Sequence, residues 1–169
     1  MKKIYRLFLL FALCMLPLVM QAQKDGSTLH AGDTLPVFSL TLNNGCQVAT
    51  DSLKGRPSLI AFFNTRCSDC RKELPVLQEI YEQWHPYIYI ICVSRSESRE
   101  SIEAFWSEHS LSLPFSAQED RSIYSLFAQQ GIPKLYISDS SGTIYQMFSE
   151  KVSRRKLLKA IKAVTSDKK

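Results

Sequence analysis

The chain has 169 residues, 45% of them hydrophobic, which is enough apolar content for a packed core and excludes a disordered polar tail as its main character. Its 21 Lys and Arg against 16 Asp and Glu give a formal +5. Three of those cations, Lys2, Lys3 and Arg6, lie in the first six residues, so beyond residue 22 the balance is 18 to 16 and no nucleic-acid-binding surface is implied.

Lys2, Lys3 and Arg6 precede an apolar run from Leu7 to Met20, with the small residue Ala22 after it, the layout of a secretory signal peptide. The run is shorter than the roughly 20 residues a spanning helix needs. A cleaved leader is therefore expected over 1–22, and a mature chain exported to the periplasm or elsewhere outside the cytoplasm, making no membrane contact of its own. Cys14 reads as an apolar member of the leader. The remaining 147 residues suit one domain. Residues 23–31 are polar and expected to be flexible, which places the folded domain over 32–169.

FSLTLNNGCQVAT has two short runs around Asn43-Asn44-Gly45, a hairpin with Gly45 supplying a positive φ. TDSLKGRP reads as one helical turn closed by Gly55. SLIAFFN (58–64) is continuously apolar, the pattern of a strand covered on both faces. The helix after it carries Leu74, Leu77, Ile80, Tyr81 and Trp84 at helical spacing and stops before Pro86. YIYIICV (87–93) is a second buried strand. SESRESIEAFWSEH follows as a helix, and EDRSIYSLFAQQG as a shorter one ended by Gly131. KLYIS and TIYQMF flank Asp139-Ser140-Ser141-Gly142, a strand–turn–strand signal. Ser153 caps a last helix with Leu157, Leu158, Ile161 and Val164 inside and Arg155, Lys156, Lys159 and Lys162 on a solvated face. This order implies a three-layer α/β/α domain with a mixed central sheet and an N-terminal β-hairpin.

Four cysteines follow the leader: Cys46, Cys67, Cys70 and Cys92. Cys67 and Cys70 stand three apart, where a buried strand ends and a helix begins. Unpaired backbone N–H groups and the helix dipole favour negative charge there, which stabilises a thiolate. Residues i and i+3 share a helix face, so the pair has acceptable geometry for a disulfide. A structural short-loop disulfide and half of a zinc site are the competing readings. Zinc wants two close ligand pairs, whereas Cys46 and Cys92 are single and His30, His85 and His109 do not pair at ligand spacing, so no metal is expected. Arg66, Arg71 and Lys72 around the pair favour the thiolate and Asp69 opposes it. Glu73, one turn after Cys70, is positioned to take a proton from it, although a helix-surface glutamate is the simpler reading of that residue alone. Cys92 reads as a small buried hydrophobe, and whether it reaches Cys46 depends on the fold.

From Gly32 to Ile161 the chain resembles the thioredoxin superfamily and, within it, the exported TlpA/ResA-like thiol–disulfide oxidoreductases. The likeness rests on GDTLPVFSL, on DSLKGRPSLIAFFNTRCSDCRKELP with its C-x-x-C helix and E-x-P, and on QQGIPKLYISDSSGTI. The resemblance implies a thioredoxin-like fold and a redox-active Cys67–Cys70 disulfide, with Cys67 attacking and Cys70 resolving. Glu73 matches the acid beneath the pair, and Pro133 matches a cis-proline that turns the Ile132 backbone toward an incoming chain. It implies protein-disulfide reduction on protein thiol clients, no cofactor, and a membrane protein as electron donor. Two positions depart from the pattern: Arg66 replaces an aromatic and Lys134 a threonine, and both are expected to add charge for an acidic partner surface. A peroxiredoxin-like thiol peroxidase is the second reading. It wants Thr-x-x-Cys, whereas Thr65 is two before Cys67. A non-catalytic binding module on the same fold is the third.

Overall fold

A computed structural model describes residues 26–166; the expected leader lies outside the described residues. The hairpin forms from β1 (Ser39–Thr41) and β2 (Gln47–Ala49), with Gly45 at φ 84° in its turn. A 3₁₀ turn over Thr50–Leu53 follows. Five further strands make the central sheet: β3 (Ser58–Phe63), β4 (Tyr89–Ser94), β5 (Phe115–Ser116), β6 (Lys134–Ser138) and β7 (Ile144–Ser149). Their order is β5-β4-β3-β6-β7, with β3, β4 and β5 parallel and β6 and β7 antiparallel to their neighbours. The helices are α1 (Ser68–Trp84), α2 (Arg99–Glu108), α3 (Ser122–Phe127) and α4 (Arg154–Thr165).

The layers follow from connection handedness. The β3-α1-β4 and β4-α2-β5 crossovers step the same way along the sheet, and right-handed crossovers then put both helices on one face. The central strand alternates to match. Leu59, Ala61 and Phe63 face α1, α2 and α4, where Leu77, Trp106 and Ile161 close one core. Ile60 and Phe62 point the other way into a second core with Leu40, Tyr124, Phe127 and Tyr136, covered by the hairpin and α3. Phe62 meets Tyr124 and Tyr136 edge-on, with ring centroids 5.4 and 6.1 Å apart.

Three expectations are corrected. Over their described part, 26–31, the supposedly flexible residues are tied down. The N–H groups of Thr28 and Leu29 donate to the Phe127 carbonyl, and Ser27 is buried in a bridge to Ala128. Helix α3 ends at Phe127, not at Gly131. Its last carbonyl, that of Phe127, is taken from outside by the N–H groups of residues 28–29 and by the Tyr136 hydroxyl, so the chain leaves the helix four residues early. A short edge strand, β5, also forms where only a connection was expected. Cys92, wholly buried in β4, faces the α1 side of the sheet, whereas Cys46 is exposed on a hairpin that packs on the other side.

Candidate active site

The carboxyl ends of β3, β4 and β5 all open at one edge of the sheet, the place where ligands meet open α/β sheets. Asn64, directly after β3, organises the approach to the cysteines. Its carbonyl accepts from Cys67 N–H (3.0 Å), its side-chain oxygen from Arg66 N–H (2.9 Å), and its amide donates to the Ser96 carbonyl beyond β4 (3.3 Å). Thr65 is buried beside it. Its N–H donates to Glu97 Oε2 (2.8 Å) and its hydroxyl to Glu97 Oε1, which also accepts from Ser101 Oγ (2.8 Å). The buried Glu97 side chain thus pins Thr65, the residue before the Arg66–Cys67 step, while the Ser96 carbonyl holds Asn64.

Cys67 is the N-cap of α1. Its backbone is extended (φ −81°, ψ 120°), and its Sγ accepts from Cys70 N–H at 3.4 Å. Sulfur here does the work that a serine or aspartate oxygen does at an ordinary helix start. The Cys67 thiol also reaches the Ile132 carbonyl at 3.6 Å. Cys67 is half-buried, whereas Cys70, one turn deeper, has no exposed surface. Burial pushes the Cys70 thiol well above the ordinary cysteine range. Its hydrogen bond to Cys67 adds to that rise, while the Asn64 backbone and the Arg95 charge oppose it.

Glu73 is 1% exposed, on the same face of α1 and one turn further in. Its Oε2 accepts from Val152 N–H at 3.3 Å, while Oε1 is buried without a partner among the described residues. Burial raises its pKa above the ordinary glutamate value, against the Val152 hydrogen bond and the charge of Lys151. The bond between Ile132 and Pro133 is cis, and Ile132 packs against both cores.

Arg66 is exposed beside Cys67. Lys134 is not. It is 1% exposed, and its Nζ donates to Ser27 Oγ (2.9 Å) and Ser149 Oγ (3.0 Å), so it adds no surface charge for a partner. The register of β6 turns it inward. Instead, a cleft of about 470 Å³ next to Cys67 is lined by Arg66, Arg95 and Arg121, with Asn64, Ser96 and Ile132 between them. Sequence reasoning missed Arg95 and Arg121. Arg95 directly follows β4, and Arg121 caps α3 in the connection after β5, a strand that was not read.

A sheet with three parallel strands, a cysteine capping the helix after the central one and a second cysteine buried one turn inside define a thioredoxin-like dithiol domain. The chain matches the AhpC/TSA family over residues 31–147 and belongs to it. Among its relatives, a thiol-disulfide oxidoreductase, ResA, of Bacillus anthracis is 23% identical over 142 residues, 83% of this chain and 82% of the relative. ResA of Bacillus subtilis is 25% identical over 121 residues, covering 71% and 68%. In three dimensions the chain resembles a putative protein disulfide isomerase from Bacteroides thetaiotaomicron, with TM-score 0.78, 23% identity and coverage of 85% of this chain and 95% of the other. A putative thiol:disulfide interchange protein DsbE from Chlorobium tepidum superposes with TM-score 0.75 at 17% identity, covering 82% and 99%. Among the described residues no helix is long and apolar enough to cross a membrane.

Proposed function

We propose that the protein is a thiol–disulfide oxidoreductase that reduces disulfides in protein clients. The observation that carries this reading is the pair of positions held by its cysteines: Cys67 capping α1 at the cleft, and Cys70 buried one turn behind it. In the reaction the Cys67 thiolate attacks one sulfur of the client disulfide. A Cys67–client bond forms, and the other client sulfur leaves as a thiolate. Cys70 then gives its proton to the Glu73 carboxylate and attacks Cys67 Sγ, releasing the second client thiolate. Two electrons have moved to the client, and the protein is left with a Cys67–Cys70 disulfide, which a reduced dithiol protein must restore. A membrane donor for that step and an exported location, supported by the leader read in 1–22, are parts of the proposal.

Glu73 suits its role by being dry. A carboxylate raised toward neutrality is a better match for a thiol donor than one fixed near the ordinary glutamate value. Ile132 and Pro133 would present backbone to the client chain in strand fashion. The peroxidase alternative lacks support at Thr65, whose hydroxyl is engaged by Glu97 rather than by the thiol. Cys67→Ser is expected to abolish insulin reduction. Cys70→Ser is expected to accumulate a mixed disulfide visible on a non-reducing gel. Insulin reduction surviving in Cys67→Ser, or peroxide consumption exceeding dithiol exchange, overturns the reading.

A further inference from the structure

The three arginines of the cleft come from three different loops. Arg66 lies between β3 and α1, Arg95 directly after β4, and Arg121 at the N-cap of α3 in the connection after β5, so the connections leaving the three parallel strands each deliver one guanidinium to the same opening beside Cys67. None of them takes part in an ion pair among the described residues. No acid lines the cleft, and the exposed Glu119, two residues before Arg121, makes no ion pair among the described residues. Glu97 is buried on Thr65 and Ser101, and Asp120 accepts from Ser122 N–H at the start of α3. Asp69 pairs with Lys72 and does not line the cleft. Three like charges around one opening repel one another, and the arrangement gains most from an anion that enters between them. Guanidinium presents a planar fork of donors that matches a carboxylate.

Resting on the exchange reading above, we propose that this cleft selects clients by charge, so that the preferred disulfides belong to chain segments with an Asp or Glu next to the reactive cysteine. The position decides the ligand class. The cleft shares Cys67 and Ile132 with the exchange site, so whatever enters it is carried by the same chain as the disulfide. A volume of about 470 Å³ holds a side chain or two of that chain, not a second domain. The remaining lining, Asn64 and Ser96, is polar and adds hydrogen-bonding partners rather than an apolar pocket.

The test uses the reduced protein and short peptides whose single cysteine is disulfide-bonded to 2-thiopyridine, a neutral leaving group followed by absorbance. Peptides with Asp, Asn or Lys on both sides of the cysteine differ only in charge. The Asp peptide is expected to react about 5- to 10-fold faster than the Asn peptide at low salt, with the ratio falling toward one in 0.5 M salt. In the double variant Arg95→Glu/Arg121→Glu the order is expected to invert, the Lys peptide becoming the fastest. Dividing every rate by that of the Asn peptide removes any general change in Cys67 reactivity. An Asp-to-Asn ratio of one or less in the parent overturns the proposal, and so does a ratio unchanged in the double variant, while exchange itself stands. If reduced protein releases thiopyridine from none of the peptides, the exchange reading falls and this proposal with it.

Discussion

Glu73 has one oxygen held by Val152 N–H and one left bare in a dry interior. Because its pKa is raised, the folded protein binds this proton more tightly than the unfolded chain does. That group therefore costs nothing in acid and costs stability as pH rises from the ordinary 4.5 through the folded value. Glu73→Gln removes the titration. Its melting temperature minus that of the parent is expected to grow more positive with pH over that range, which paired melts across a pH series will read. The same substitution removes the acceptor proposed for the Cys70 proton, so resolution of the Cys67–client mixed disulfide by an intact Cys70 is expected to slow by about 100-fold in rapid-quench measurements. Little of this was legible in the sequence, where a glutamate three residues after Cys70 also fits a solvated helix face. Burial decides the matter, and the N–H that meets the buried carboxyl, that of Val152, is 79 positions away. Lys134 failed in the opposite direction. A cation beside a presumed site reads as a contact, but the register of β6 turns it inward onto two serine hydroxyls.

At the scale of elements, the local signals that succeeded were those with a local cause. The apolar run at 58–64 became β3, Pro86 follows the end of α1, and Asn43-Asn44-Gly45 became the hairpin turn. The end of α3 was misread because its cause is not local: residues 28–29, about a hundred positions earlier, take the Phe127 carbonyl. The β6–β7 turn shows a local device that can be tested. Asp139 Oδ1 accepts from Ser141 N–H (2.8 Å), Ser141 Oγ (2.6 Å) and Thr143 N–H (3.1 Å). Burial pushes this carboxyl up, but those bonds outweigh it and hold the pKa below the ordinary aspartate value. A lowered pKa contributes stability above the ordinary value that is lost as pH falls through the folded one. Asp139→Ala is expected to cost about 1–2 kcal/mol at neutral pH by denaturant unfolding. The gap to the parent is expected to narrow below about pH 4, where the unfolded chain's carboxylate protonates before the folded one does.

On the scale of the molecule, the central strand divides the interior into two halves, and only one of them holds the Cys67–Cys70 pair. Phe62 and Phe63 are adjacent in sequence and equally dry, at 0% and 1% exposure. Phe62 belongs to the core under the hairpin and α3, whereas Phe63 belongs to the core that buries Cys70 and packs against Trp106 at 5.1 Å. Truncating either to alanine leaves a cavity of similar size, so each is expected to cost about 3–5 kcal/mol. Their effects on the thiols should differ. The cavity in Phe63→Ala opens within the half that shields Cys70, so Cys70 in the reduced, folded variant is expected to alkylate at least several-fold faster than in the parent. In Phe62→Ala the sheet itself stands between the cavity and α1, so Cys70 alkylation is expected to hold at the parent rate under conditions where the variant remains folded. Mass spectrometry of each cysteine after a timed alkylation separates the two outcomes. Equal acceleration in both variants would mean that Cys70 is reached by opening of the whole domain, and that the two halves do not move independently.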